Sequence, residues 1–253
     1  MALKQIIGAI RKADIDYSLI DPNDRIAVGI SGGKDSLILL TALAYYRNVA
    51  MKYDNKPFDI VGIHLEMGFS DMDFSKVAEY AASLNVEYYD EPTRLYDILK
   101  LHPKNNRIQC SLCSTLKKGA IVKTAKAHNC NKTAFAHHAD DAIETLFLNM
   151  IYTGRIATFT PSMHLSDSGM DFIRPLAYCF EDDIRRTANQ LVLPVVKSTC
   201  PNDGYTKRQS VKEMLNSIYK ETPQARLNLL HSLYSQDQVI LWTKGDAWKH
   251  SSM

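Results

Sequence analysis

Six consecutive residues, Ser31, Gly32, Gly33, Lys34, Asp35 and Ser36, bring together the groups that hold a polyanion. Paired glycines let the main chain close on phosphate oxygens. Ser31 and Ser36 add hydroxyl donors and Lys34 a positive charge. Asp35 would repel phosphate unless a divalent cation bridges the two, so a magnesium nucleotide fits all six. The pattern is not the Walker loop, which needs four residues between its glycine and Gly-Lys. Further along, Cys110 and Cys113 stand three residues apart, close enough to ligate one metal, and a helix N-terminus there would favour their thiolates. The chain has five cysteines. An odd number in a mid-sized chain argues against a disulfide framework and leaves metal binding, catalysis or burial.

The elements that must position these groups follow from periodicity. Ile26, Val28 and Ile30 form a short β run ahead of the six residues, and Leu37, Leu40 and Leu43 restore helical spacing after them, to about Arg47. A free helix N-terminus therefore faces the glycine turn, with its backbone N–H groups and dipole directed at an anion. Before this junction, residues 3–14 read as a helix and 21–24 as a turn. After it, strands are expected at 58–65, 86–89, 133–137 and 172–176. Helices are expected at 73–84, 114–128, 140–152 and 181–191, then at 207–219 and 222–234. Residues 91–109 show only a weak pattern, 153–171 an irregular excursion or hairpin, and 193–196 a short extended piece. Alternation of strand and helix predicts an α/β fold, a parallel five-stranded doubly wound sheet with C-terminal helices. The expected units are a catalytic domain over 1–200, a helical extension packed on it over 201–240, and a disordered tail over 241–253.

Ligands of open α/β sheets lie at the carboxyl ends of the strands. There the sequence places the six residues, His64, and the run from Ala136 to Asp141, so that adenine would lie near Gly29, Ile30, His64 and Leu65. Ala136 and His137 also border that cleft, where His137 and His138 either shape it or take part directly. Asp140 and Asp141 open a helix, as dipole partners or as magnesium ligands. The 253 residues, 45% hydrophobic and 23% charged, carry a net charge of +2, too little by itself to argue for nucleic acid. The N-terminal helix has no uninterrupted apolar core and no run reaches membrane-spanning length, which excludes a membrane class and points to the cytoplasm.

The hexapeptide SGGKDS resembles the signature of the PP-loop ATP pyrophosphatases, which share the adenine nucleotide alpha hydrolase-like fold and cleave ATP between its α- and β-phosphates to adenylate a substrate oxygen. CSLCSTLKKGAI at 110–121, AHHADDAIETLFLNM at 136–150 and IRPLAYC at 173–179 resemble the tRNA sulfurtransferase branch of that superfamily, most closely the tRNA 2-thiocytidine synthetases. The similarity spans roughly residues 15–220. It implies ATP, Mg2+ and a 4Fe-4S cluster held by three cysteines: Cys110, Cys113 and, in the corresponding C-terminal segment, Cys200, with Cys179 the alternative and Cys130 read as inert. It further assigns catalytic places to Asp141 and to Lys117, four residues after Cys113 on one helical face.

The partners implied are tRNA and a sulfur donor, either sulfide or a cysteine-desulfurase product, with a homodimer as a candidate assembly. Lys117, Lys118, Lys123, Lys126, Arg155, Arg174, Lys197, Lys207 and Arg208 are the candidates for RNA contact. An anticodon-loop pyrimidine would have to leave its stack to reach the cleft. Two rival readings remain open, a 2-thiouridine synthetase-like enzyme and another PP-loop ligase, lysidine- or amide-forming, with a structural metal at the CxxC. A binding module with zinc at the thiols is the non-enzymatic rival.

Overall fold

The computed structural model describes residues 2–68, 72–103, 108–200 and 207–241. The chain begins with α1 (Ala2–Tyr17), β1 (Arg25–Ile30), α2 (Lys34–Asp54) and β2 (Asp59–Glu66). It continues with α3 (Ser75–Ser83), β3 (Glu87–Pro92), a short α4 (Leu95–Leu101) and α5 (Cys110–Ala127). Next come β4 (Lys132–Ala134), α6 (Ala139–Thr153) and a hairpin of β5 (Ser162–Leu165) and β6 (Met170–Ile173). Helices α7 (Glu181–Leu191), α8 (Lys207–Glu221) and α9 (Ala225–Ser232) follow.

The strand order is β3-β2-β1-β4-β6-β5. Five strands run parallel, as the alternation predicts, and β5 pairs antiparallel to β6. The sixth strand is the outer arm of the excursion after α6, which closes the sheet edge. Other boundaries also shift. α2 runs to Asp54 rather than Arg47, α4 occupies the stretch with the weak pattern, and α5 starts at Cys110, so both thiols lie in its first turn. Residues 193–196 form no strand. The first residues of the expected helical extension, 201–206, and the expected tail from 242 lie outside the described residues.

From Ser36 to Ala44 every residue of α2 is buried. A helix that is covered all round must lie in the core, and α2 packs between the sheet and the helices α1 and α7. Its N-terminus is therefore held rigidly at the end of β1. On the opposite face α5 packs against β1, β2 and β4. α8 and α9 pack on α6 through Ile143, Val211 and Leu215.

The turn before β1 is tied to β4 by Lys132. Its ammonium lies 2.6 Å from Asp21, 2.8 Å from Asp24 and 3.1 Å from the Leu19 carbonyl, and Asp24 itself is buried. Replacing Lys132 by methionine takes the 2.8 Å countercharge from the buried Asp24 carboxylate, which keeps only the Asp21 N–H and the Asn131 amide as donors, and is expected to cost about 3 kcal/mol of stability, read as a shifted urea midpoint.

Candidate active site

Strand order reverses between β1 and β4, with β2 and β3 on one side and β6 and β5 on the other. Such a switch point opens a crevice at the carboxyl ends of the two strands. Ser31 to Ser36 leave β1 on one lip, and Ala136 to Asp141 leave β4 on the other.

The loop after β1 is braced from within. The Ser31 N–H donates to Ser36 Oγ at 3.2 Å, the Gly33 N–H to Ser31 Oγ at 3.4 Å, and Ser36 Oγ to the Gly33 carbonyl at 2.9 Å. No side chain caps α2. Its first N–H groups remain available to an anion. Gly32 has φ +84°, and a Cβ there would lie 3.0 Å from Phe74 and from Val196. Only glycine fits that conformation and that space. Asp35 keeps one carboxylate oxygen buried with no hydrogen bond and only the Lys34 ammonium 3.3 Å away, a position at which a divalent cation would compete with that ammonium. Lys34 lies 3.3 Å from Asp35 and 3.1 Å from Glu181.

The expected adenine wall at Gly29, Ile30 and His64 is compact. Ile30 and His64 are register partners, and the His64 Nδ1 lies 2.9 Å from the Ile30 carbonyl. The ring stacks on Phe74 at 3.6 Å. Burial lowers the pKa of His64 and so keeps it neutral, an effect to which Lys117 adds and which the Ile30 carbonyl opposes.

At the other lip, Asp140 and Asp141 diverge because neighbours on a helix point about 100° apart. Asp140 is buried and faces away from the crevice. It accepts the Glu181 N–H at 2.7 Å and Arg226 Nε at 2.7 Å. Asp141 closes a reciprocal cap with His138, accepting its N–H at 3.0 Å. The second Asp141 oxygen lies 3.3 Å from Arg208 Nη1, which also reaches Glu144 at 3.2 Å. Burial raises the Glu144 pKa and Arg208 opposes that. Arg208, expected among the RNA contacts, thus turns onto the carboxylates of α6. His138 is a capping residue, whereas His137 stays exposed beside Phe159 at 5.1 Å. Loss of water around the ring where the chain packs on it lowers the His137 pKa, Asp141 counters it, and Arg174 and Arg208 lower it further.

Arg174 is a correction. It is buried, donates to the Thr160 carbonyl at 2.6 Å and covers the Phe159 ring at 4.9 Å, so it presents no charge to an RNA backbone. Lys117, Lys118, Lys123, Lys126, Arg155, Lys197 and Lys207 are exposed.

No disulfide joins the five cysteines. Cys179 lies in the main core, where burial pushes its thiol up to about 12, and Cys130 is buried beneath α5, its thiol raised to about 11. Cys110, Cys113 and Cys200 reach the surface. Burial raises the Cys113 pKa and Lys117 lowers it, while the charges of Cys200 and Cys110 both act on it. Among the described residues no three His, Cys, Asp or Glu side chains are arranged to hold a single metal ion. A four-iron cluster takes one thiolate per iron, and Cys110, Cys113 and Cys200, the three thiols that reach the surface, offer that donor chemistry.

One hydrogen bond ties the segment before Cys200 to the phosphate loop, and one cation acts electrostatically on both Cys113 and His64. The Val196 N–H donates to the Gly32 carbonyl at 2.9 Å, four residues before Cys200. Lys117 acts on Cys113 and on His64 alike. Phe74, Val196 and Glu181 are thus site residues that no motif marks.

A parallel sheet whose first β–α turn is an uncapped Ser-Gly-Gly-Lys-Asp-Ser at the switch point defines a nucleotide-binding α/β protein of the PP-loop type. The PP-loop domain family model matches residues 4–218. The tRNA-cytidine(32) 2-sulfurtransferase of Pelobacter propionicus is 36% identical over 91% of this chain and 85% of its own, and that of Geotalea daltonii 37% identical over 91% and 90%. The chain belongs to the PP-loop domain family and, within it, to the tRNA-cytidine(32) 2-sulfurtransferases. Among solved structures, the U34-tRNA thiolase NcsA of Methanococcus maripaludis with its [4Fe-4S] cluster superposes with a TM-score of 0.73 at 20% identity, over 96% of this chain and 81% of that one. An NAD+ synthetase of Burkholderia pseudomallei gives a TM-score of 0.52 at 13% identity, over 94% and 90%. Both show the fold.

Proposed function

We propose that this protein is an ATP-dependent tRNA thiolase that replaces the C2 oxygen of cytidine 32 by sulfur, working in the cytoplasm. The observation that carries the reading is the Val196–Gly32 hydrogen bond, which fixes the segment leading to Cys200 against the phosphate loop. Among the described residues no helix is long and apolar enough to cross a membrane.

In this reading Ser31 to Ser36 hold the phosphates of ATP, Asp35 holds Mg2+, and Gly29, Ile30, His64, Ala136 and His137 border the nucleotide. The C2 carbonyl oxygen of the base attacks the α-phosphorus, the α–β anhydride bond breaks and pyrophosphate leaves. Asp141, fixed by His138 and Arg208, orients the reacting groups, and the N-terminus of α2 meets the charge that develops on phosphate. A hydrosulfide then adds at C2 and AMP departs with the original oxygen. Cys110, Cys113 and Cys200 would hold a 4Fe-4S cluster, which would supply that sulfur from sulfide or a cysteine-desulfurase product. Lys117, exposed four residues after Cys113, holds the adenylated base or hands over a proton.

Nucleoside mass spectrometry of tRNA from cells with and without the protein tests this. The expected result is loss of 2-thiocytidine on deletion and its return with the wild-type chain. Unchanged 2-thiocytidine, or loss of 2-thiouridine instead, overturns it.

A further inference from the structure

Lys34 reaches a carboxylate that lies 147 residues away along the chain, Glu181, at 3.1 Å. Glu181 opens α7, and its backbone N–H is bound by Asp140 at 2.7 Å. Asp140 is in turn held by Arg226 of α9 at 2.7 Å, and that guanidinium also takes Asp182 at 2.7 Å. The second Glu181 oxygen lies 2.6 Å from Lys212 of α8. Helices α6 and α8 thus hold this glutamate of α7 directly, α9 supports it through Asp140, and the glutamate touches the phosphate loop.

The two partners differ in freedom. Glu181 is anchored through its own backbone and its side chain is only 17% exposed, so it is the fixed member. Lysine carries its ammonium on a long, flexible stem with three donors. With Asp35 and Glu181 each taking one donor, the third is left with a defined direction. Two carboxylates against one ammonium also oppose an incoming polyanion, and Lys212 offsets part of that by sharing Glu181.

We propose that Glu181 is a positioning residue for adenylation: it holds the Lys34 ammonium in line for the phosphates and, as a negative charge beside them, weakens their binding. This rests on the reading of Ser31 to Ser36 as the ATP phosphate loop. Glu181 borders a cavity of about 440 Å³, so a glutamine of the same size is accommodated without repacking.

The test uses the full-length chain purified anaerobically with its cluster. Calorimetry measures binding of inorganic pyrophosphate with Mg2+, and single-turnover pyrophosphate release from ATP is followed with unmodified tRNA. Glu181→Gln is expected to bind pyrophosphate about threefold to tenfold more tightly, and to release it from ATP about tenfold to a hundredfold more slowly. Glu181→Asp, which keeps the charge, is expected to recover part of the rate. A merely structural role would move both quantities toward loss. Weaker pyrophosphate binding in Glu181→Gln, or an unchanged release rate, overturns the assignment of Glu181. Absence of pyrophosphate binding in the wild-type chain instead overturns the phosphate-loop reading, and this inference with it.

Discussion

With Cys200 replaced by serine, thiolation is expected to fall by about a hundredfold or more while ATP affinity changes little. Iron is held by thiolates, and a serine hydroxyl does not ionise near neutral pH, so the proposed third ligand is removed without adding volume. The phosphate loop does not sense the change directly. Its contact with this segment is made by the Val196 backbone N–H, and the loop's own bracing comes from Ser31 and Ser36. Iron and sulfide content, the visible absorption of the cluster, ATP binding and 2-thiocytidine yield form one set of measurements. The contrasting variant is Cys179→Ser. That thiol is buried in the main core, so a hydroxyl there is expected to cost about 1–3 kcal/mol while iron content holds. A Cys200→Ser chain with full iron content would move the third ligand elsewhere.

The parts of this site that could be read in the sequence are those whose cause is local. The β run, the glycine turn and the return of helical spacing from Arg25 to Leu43 need no information from elsewhere. The same holds for α6, whose apolar residues repeat with the turn of the helix. α4 could not be read in this way. Its seven residues are fixed by Leu95 and Leu99 packing against Met67, with Ile108 and Leu112 alongside, which is a tertiary effect. Arg174 shows its charge in the sequence but not its direction. Only the fold brings Phe159 beneath its guanidinium and the Thr160 carbonyl within reach. Contacts across long separations, Glu181 with Lys34 and Arg208 with Asp141 and Glu144, have no period to reveal them. The adjacency of Asp140 and Asp141 suggested a shared task, and helix geometry separates them.

That separation yields opposite expectations for two neighbouring carboxylates. Asp141→Asn is expected to slow pyrophosphate release from ATP by about a hundredfold to a thousandfold. The fold tolerates it, because asparagine keeps an oxygen to accept the His138 N–H that Asp141 now accepts at 3.0 Å, and a cap of this kind is worth about 1 kcal/mol. What disappears is the negative charge that faces Arg208 at 3.3 Å, so the guanidinium keeps the Glu144 carboxylate and the Thr145 hydroxyl at 3.2 Å while the crevice gains net positive charge. Asp140→Asn strikes the interior instead. It removes the charge paired with Arg226 at 2.7 Å in a buried position, and is expected to cost about 3 kcal/mol of stability. Its rate falls only as far as Glu181 drifts from Lys34. Urea midpoints and single-turnover pyrophosphate release, measured on both variants, separate the two roles. A slow Asp140→Asn of undiminished stability beside an active Asp141→Asn would exchange them, and the crevice would then open toward α7 rather than toward the exposed ring of His137.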